Sequence, residues 1–301
     1  MAQQIIWFKG SLVPSEEARV NVLSPTAQFG LNVFEGIRAY RGSDGVLRIF
    51  RLNEHLKRLF QSCRMIGIES PYCSAEIASN IAAAIAANDY NDDIALRVTI
   101  FVDGTGTWHS LGPVDMFIAP VSRPRRDVND DSGKSACVSS WRRISDQSMP
   151  PRIKTGANYI NGRYGVLDAQ RKGCDLPIFL DQHGRVAEGA GACLFLVRDG
   201  MLVTPTISDS ILESITRDSL LKLAAAEGIT ADVRSIDRTE LLLADEIFLC
   251  GSAAEITPLT TIDGLIVGSG RMGPLSRRML ELYYTAADGR DPRFVDWATA
   301  C

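Results

Sequence analysis

Arg152-Ile153-Lys154-Thr155-Gly156-Ala157-Asn158-Tyr159-Ile160-Asn161 is the stretch from which the rest of the chain can be ordered. It sets a lysine after an irregular, proline-containing segment and before small residues that leave room for a ligand. Downstream come Arg185-Val186-Ala187-Glu188-Gly189-Ala190-Gly191-Ala192 and then Cys250-Gly251-Ser252-Ala253-Ala254-Glu255-Ile256-Thr257-Pro258. A lysine, an acid and a small-residue loop suited to an anion therefore follow one another.

Working outward, hydrophobic period and turn residues order the elements. Val46–Phe50 reads as a strand. Asn53 is a candidate cap for a helix with an apolar stripe of Leu56, Leu59, Phe60, Cys63 and Ile66. Ala75 to Asn88 is a second helix, and Ile94–Val102 and Val114–Val121 are strands. The polar run Ser122 to Gly133 is the candidate linker. After it come a strand over Ser135–Trp141, a helix over Asn158–Lys172, and a strand pair, Pro177–Asp181 and Ala192–Val197, joined across Gln182-His183-Gly184. A helix over Thr216–Glu227 ends at Gly228, which suits a left-handed cap. Strand Glu246–Cys250 leads into the Gly251–Ala254 loop. The class is mixed α and β. The expected division is a small α/β domain over 1–122, a linker over 123–134 and a larger domain over 135–301.

At 301 residues with a formal net charge of -4, the chain is long enough for two domains and mildly acidic. That balance argues against general nucleic-acid binding and against an anionic membrane surface. The N-terminal stretch lacks a basic region followed by a long apolar core, so no secretory leader is expected. No apolar run is long enough to span a bilayer. Seven scattered cysteines without CxxC spacing argue against a disulfide framework or a zinc site, and no metal is expected. They favour a reducing compartment, with a cytoplasmic location expected. Cys193 and Cys250 read as small core hydrophobes on strands.

A cofactor aldehyde needs a lysine amine, and the chain has only Lys9, Lys57, Lys134, Lys154, Lys172 and Lys222. Lys57 and Lys172 read as solvated helix positions and Lys134 as part of the linker. Lys154 has the setting of a residue that bonds a carbonyl, although a lysine taken alone is more often a surface charge. Glu188 offers a carboxylate that could keep a pyridine nitrogen protonated; alone it is an ordinary strand-end acid. A phosphate needs backbone N–H donors, a hydroxyl and positive charge. Ser214-Ile215-Thr216 opens a helix, Ser252-Ala253-Ala254 could form a nest, and Arg58 could supply charge. Singly these are a cap, a turn and a helix-surface arginine. Together the pieces are those that hold pyridoxal phosphate. Gly104 and Gly106 belong to a hairpin connection, because no helix follows them.

In this order the pieces resemble the class IV (fold type IV) pyridoxal-phosphate aminotransferases, most of all the branched-chain amino-acid aminotransferases. The resemblance runs through Phe29-Gly30, Val33-Phe34-Glu35-Gly36-Ile37-Arg38, Phe50-Arg51 to Arg58-Leu59, Lys154 to Tyr159, Glu188 to Gly191, Ile215-Thr216-Arg217-Asp218, and Gly251 to Pro258. It implies that Lys154 bonds the cofactor, Glu188 pairs with its pyridine nitrogen and Tyr159 lies near its phenolate oxygen. It implies that Arg58, Ile215, Thr216 and Ser252 hold the phosphate of pyridoxal 5'-phosphate. Phe34, Gly36, Arg97, Ala253 and Ala254 would face the substrate. The implied fold is a small α/β domain plus a larger pseudo-barrel domain, assembled as a homodimer or higher homo-oligomer whose partner closes the pocket. The implied activity is ping-pong transfer of an amino group between a hydrophobic L-amino acid and a 2-oxo acid such as 2-oxoglutarate.

The substrate half departs from that pattern. Tyrosines that hold substrate carboxylates in bacterial branched-chain enzymes are matched here by Phe29, Ala95 and Pro124, whereas Arg97 is kept. Each lost hydroxyl removes one charge-assisted hydrogen bond, worth about 1.5–3 kcal/mol. Arg123, Arg125 and Arg126 stand nearby, either replacing those donors or lying in a solvated linker. The alternatives are a D-amino-acid or (R)-amine transaminase, a lyase such as aminodeoxychorismate lyase on the same fold, and a non-catalytic cofactor-binding protein. Trp108 and His109 lie in a loop that could face the pocket or simply pack.

Overall fold

The computed structural model describes residues 3–301. Met1 and Ala2, where the stretch read for a leader begins, lie outside the described residues. The chain divides into two compact units. One comprises the chain up to Arg125 together with Ile153–Ala157 and Thr285–Cys301; the other comprises Arg126–Arg152 and Asn158–Tyr284.

The first unit contains β1 (Ile5–Phe8), β2 (Ser11–Pro14), α1 (Pro25–Phe29), β3 (Asn32–Arg41), β4 (Leu47–Phe50), α2 (Leu52–Ile66), α3 (Ser74–Ala86), β5 (Ile94–Val102) and β6 (Val114–Ser122). A C-terminal strand, Ala298–Ala300, joins them. The sheet is antiparallel throughout, in the order C-terminal strand, β4, β3, β5, β6, β1, β2. Helix α2 buries Leu52, His55, Leu56, Leu59, Ser62 and Cys63, a single stripe at helical spacing. Its leucines meet Ile37, Ala39, Ile77, Ile81, Leu96 and Val98 in one core, and each such burial stabilises by about 1.5–3 kcal/mol. Asn53 is not the cap. The chain enters α2 through Arg51 at φ 50°, and Asn53 falls in the exposed first turn. β5 and β6 are joined by the loop carrying Gly104 and Gly106, as expected of a hairpin connection.

Two pieces of the first unit correct the expected cuts. Residues 285–301 do not belong with 135–284, because Ala298 pairs with Phe50 on β4 and Arg51 N donates to Trp297 O at 2.6 Å. Residues 153–157 lie along β3, with Thr155 opposite Val33 and Phe34 N donating to Lys154 O at 3.0 Å.

The second unit contains β7 (Lys134–Arg142), α4 (Tyr159–Arg171), β8 (Leu176–Leu180), β9 (Val186–Gly189), β10 (Cys193–Arg198), β11 (Met201–Thr204), α5 (Ile215–Ala226), β12 (Ala231–Val233), β13 (Glu246–Gly251), β14 (Glu255–Ile262) and β15 (Leu265–Ile266), with α6 (Pro274–Ala287) as far as Tyr284. Lys134 therefore opens a strand rather than lying in a linker. Lys172 is also engaged, its Nζ 2.9 Å from Asp168. The strand order β12-β11-β10-β13-β14-β7-β8-β9 closes when β9 pairs back onto β10, so six strands form a ring. Val138, Ile178, Val186, Leu194, Leu196, Ile247 and Leu249 fill its core. This is the expected pseudo-barrel. The strand pairing differs from expectation in one place. β8 turns through Asp181–Gly184 into β9, the turn fixed by Asp181 Oδ1 accepting from His183 N and Arg185 N. β10 pairs instead along its length with β13. Helix α4 lies close on β8: a Cβ at Gly165 would sit 2.2 Å from the Phe179 ring, so only glycine fits.

Candidate active site

In the first unit the extended run Ile153–Ala157 is fixed at both faces of its backbone. Lys154 N donates to Ser62 Oγ on α2 at 3.2 Å, while Lys154 O accepts from Phe34 N on β3. Thr155 Oγ1 donates to Asn32 O at 2.6 Å. A Cβ at Gly156 would lie 2.7 Å from Asn32 Oδ1, which explains the small residue there. The Lys154 Cα is thereby held, and its Nζ lies 4.9 Å from the centre of the Phe34 ring. The Arg97 guanidinium lies 4.1 Å from the same ring. Arg97 reaches it from β5, where it pairs directly opposite Gly36. A Cβ built on Gly36 meets nothing within 4 Å, so the glycine keeps open a space that a side chain would fill. Lys154, Phe34, Gly36 and Arg97 are thus brought together by β3, β5 and one strand-like segment.

Arg58 projects from α2 onto the fully buried Glu35 of β3. Arg58 Nε donates to Glu35 Oε1 at 2.7 Å and Nη2 to Oε2 at 2.8 Å. His55, one turn earlier, lies with Nδ1 2.7 Å from Glu35 Oε2. Burial alone would push the Glu35 carboxyl up, but the charges and hydrogen bonds of Arg58 and His55 outweigh it and hold the group at about 2. Burial lowers His55, against the pull of Glu35. Both groups have folded-state values below their unfolded ones. Each therefore adds stability that is complete above the unfolded value and is lost on acidification, for His55 below its ordinary 6.5 and for Glu35 from 4.5 down to about 2. The thermal midpoint should fall as pH is lowered through these windows. In Glu35→Gln, measured by calorimetry at a series of pH values, the decline below 4.5 should be shallower.

The second unit assembles the remaining groups. Glu188 on β9 is buried. Its Oε1 accepts from Arg143 Nε at 2.8 Å, and its Oε2 accepts from Leu212 N at 3.3 Å and from the Cys193 thiol at 3.5 Å. Arg143 Nη2 lies 2.8 Å from the same Oε1, and Arg143 Nη1 donates to Asn161 Oδ1 on α4 at 3.0 Å. Glu188 pairs across the sheet with Cys193, and Cys193 with Cys250. Both cysteines are the buried strand residues expected, with Cys193 also a donor to the acid. Tyr159 opens α4 beside Gly191, where a Cβ would stand 3.5 Å from its ring. A Cβ at Gly162 would lie 2.6 Å from Ala190 O, so that glycine lets α4 approach the 189–191 turn.

Ile215 and Thr216 form the first turn of α5. Ser214 Oγ caps it by accepting from Arg217 N at 3.2 Å, and the buried Arg217 is tied to Thr204 Oγ1 and Pro205 O. Gly228 follows α5 at φ 69°, as expected of the cap. Ser252, Ala253 and Ala254 make the tight turn between β13 and β14. Gly251 at its base lies against Gly191 and Ala192. The turn ends on Glu255, a non-glycine at φ 50°, a conformation that costs of order 1 kcal/mol and is held by its surroundings. The buried Glu255 carboxylate accepts from Tyr284 Oη at 2.6 Å and from Arg126 N at 3.2 Å.

The side chains of two linker arginines, Arg125 and Arg126, are paired, and Arg123 is exposed. In the first unit Arg125 bridges Asp93 at 2.6 Å and Asp288 at 3.2 Å, and Arg123 N donates to Asp93 O. In the second unit Arg126 pairs with Asp130 at 2.9 Å. Phe29 ends α1 half-exposed, Ala95 lies opposite Arg38 on β3, and Pro124 is exposed just after β6. Trp108 is 71 % exposed, its ring 5.0 Å from that of His109.

The Amino-transferase class IV family model matches residues 32–262. The branched-chain-amino-acid aminotransferase of Salmonella typhimurium is 37% identical over 297 residues, covering 97% of this chain and 96% of that protein. The chain belongs to the class IV aminotransferases, in the branched-chain amino-acid aminotransferase family. Among solved structures, the branched-chain amino acid aminotransferase of Thermobaculum terrenum in its PLP form matches with a TM-score of 0.92 at 39% identity, covering 99% of this chain and 98% of that one. The Thermoproteus uzoniensis branched-chain aminotransferase with norvaline matches with a TM-score of 0.91 at 36% identity, covering 99% of each chain.

Within this aminotransferase, Glu35, His55, Arg143, Asn161 and the Leu212 amide were not singled out from sequence. Glu35 left a signal. An acid inside the apolar run Val33-Phe34-Glu35-Gly36-Ile37 must be paired when buried, and His55 and Arg58 lie one helical turn apart. Arg143 left none, because nothing local marks it as the partner of an acid 45 residues away.

Proposed function

We propose that the enzyme uses pyridoxal 5'-phosphate to exchange an amino group between an L-branched-chain or other hydrophobic amino acid and a 2-oxo acid such as 2-oxoglutarate. The observation that carries the reading is the double backbone anchoring of Lys154, which sets its amine against the Phe34 ring that Arg97 also meets. The residues fit this cofactor. The carboxylate of Glu188 suits its pyridine nitrogen, and Tyr159 its phenolate oxygen. A capped helix N-terminus at Ile215 and Thr216, the Ser252 hydroxyl and the Arg58 guanidinium suit its phosphate. When bound, the cofactor supplies a carbonyl for the donor amine and an electron sink that acidifies the α-hydrogen.

The chain's own part is proton handling and orientation. With the cofactor bound, the Lys154 amine would carry the donor's α-proton through the 1,3 shift that transamination requires, and in the second half-reaction it would run that transfer backwards. Glu188, fixed by Arg143, keeps the pyridine nitrogen protonated. Arg97 meets a substrate carboxylate, Phe34 and the space over Gly36 take the side chain, and the Ala253 and Ala254 turn presents backbone donors. The enzyme works as a homodimer or higher homo-oligomer in the cytoplasm. The family resemblance supports the first, and seven cysteines all left as free thiols support the second.

The absence of tyrosine at 29, 95 and 124 favours a second reading, in which the preferred donor is a D-amino acid or an (R)-amine. Titrating the purified holoenzyme with L-leucine, L-glutamate, D-alanine and (R)-1-phenylethylamine separates them. Discharge of the visible cofactor band by L-leucine and L-glutamate is the expected result. Discharge only by D-alanine or the amine would overturn the branched-chain assignment.

A further inference from the structure

The Arg58 guanidinium does not stand alone on its helix. A carboxylate grips it through two of its five N–H groups, and that carboxylate is fully buried and fixed in turn by His55. Two parallel hydrogen bonds fix the plane of a guanidinium as well as its position, which a single contact or a bulk charge would not. The same face of α2 carries His55, Arg58 and Ser62, and Ser62 Oγ accepts from the backbone of Lys154. One helix face thus fixes both the backbone at Lys154 and the orientation of Arg58. A fully buried carboxylate needs partners, and simple stability would be served equally well by apolar residues at these positions.

We propose that Glu35, backed by His55, is a positioning residue for cofactor phosphate recognition: it orients the Arg58 guanidinium so that its outer edge faces the phosphate. This rests on the reading of Arg58 as a phosphate ligand.

The test compares binding of pyridoxal phosphate with binding of pyridoxal, which lacks the phosphate, to the apoprotein by absorbance titration. The ratio of the two affinities isolates phosphate recognition, and general damage to the fold would weaken both ligands alike. Arg58→Met should lower the ratio by about tenfold or more, and Glu35→Gln, which keeps size and removes charge, should lower it at least about fivefold with pyridoxal binding unchanged. An unchanged ratio in Arg58→Met would remove the phosphate reading itself. A lowered ratio in Arg58→Met with an unchanged one in Glu35→Gln would overturn the positioning role alone. Should Glu35→Gln not fold, His55→Asn loosens the same carboxylate from its other side; a lowered ratio supports the role and an unchanged one overturns it.

Discussion

Replacing Lys154 with alanine should all but abolish transamination, lowering kcat by about 10⁴-fold, the upper end for loss of a positioned acid–base group, and should remove the visible band of the lysine-bound cofactor. The expectation follows from how the residue is held. Its backbone is bonded to Ser62 on one side and to Phe34 on the other, so the alanine variant keeps its local structure while losing the amine. Of the six lysines, this is the one placed on the run that lies along β3. The variant should fold with a near-normal thermal midpoint and still bind pyridoxal phosphate non-covalently. Steady-state kinetics and a visible spectrum together check the effect.

The second large effect is expected at Glu188. Glu188→Gln should lower kcat by roughly 10²–10³-fold, the range seen when one preorganised electrostatic partner is removed, with a much smaller change in KM. The carboxylate accepts from Arg143, Leu212 N and the Cys193 thiol. A glutamine fills the same space but presents an amide where Arg143 requires an acceptor with charge. A part-buried guanidinium then loses its ion-pair partner, a loss of about 3–5 kcal/mol where the pair is fully buried and less here because Arg143 is partly exposed and also bonds Asn161. The variant is therefore expected to melt earlier as well as turn over slowly. Glu188→Asp, too short to meet Arg143 and the cofactor together, should recover little. Measuring kcat per bound cofactor at a temperature well below the variant's thermal midpoint separates the electrostatic effect from instability, because instability alone would lower the active fraction and leave kcat per active site unchanged.

Much of the candidate site could be read from the chain because each residue proposed to hold the cofactor has a short, local signature. Lys154 stands before small residues, Glu188 before Gly189-Ala190-Gly191, and Ser214-Ile215-Thr216 at a helix start. The structure keeps those local settings. What could not be read was what holds the groups in place. Glu35 and Arg58 are separated by 23 residues, Glu188 and Arg143 by 45, and pairing over such distances is set by strand order, not by neighbouring residues. The closure of the ring by β9 on β10 was hidden for a different reason: it rests on a single local pairing, Glu188 with Cys193, too short to leave a strand pattern. The return of Ala298–Ala300 to the first sheet left no pattern in Ala-Thr-Ala that would mark a strand. The α2 start was misread because Arg51 enters it from a left-handed conformation that few non-glycine residues adopt, whereas Asn53 has the side chain of a cap. Arg125 and Arg126 showed charge without showing their partners; Asp93 and Asp288 supply those of Arg125 and Asp130 that of Arg126.

Lys154 is the residue proposed to bond the cofactor, and every other role in the site depends on it. Reducing the holoenzyme with borohydride locks a lysine-bound cofactor as a stable secondary amine, and peptide mass spectrometry then finds the residue that carries it. The label is expected on the peptide containing Lys154, and prior addition of an amino donor that converts the cofactor is expected to prevent it. A label on any other lysine, or none after reconstitution with pyridoxal phosphate, would contradict that role.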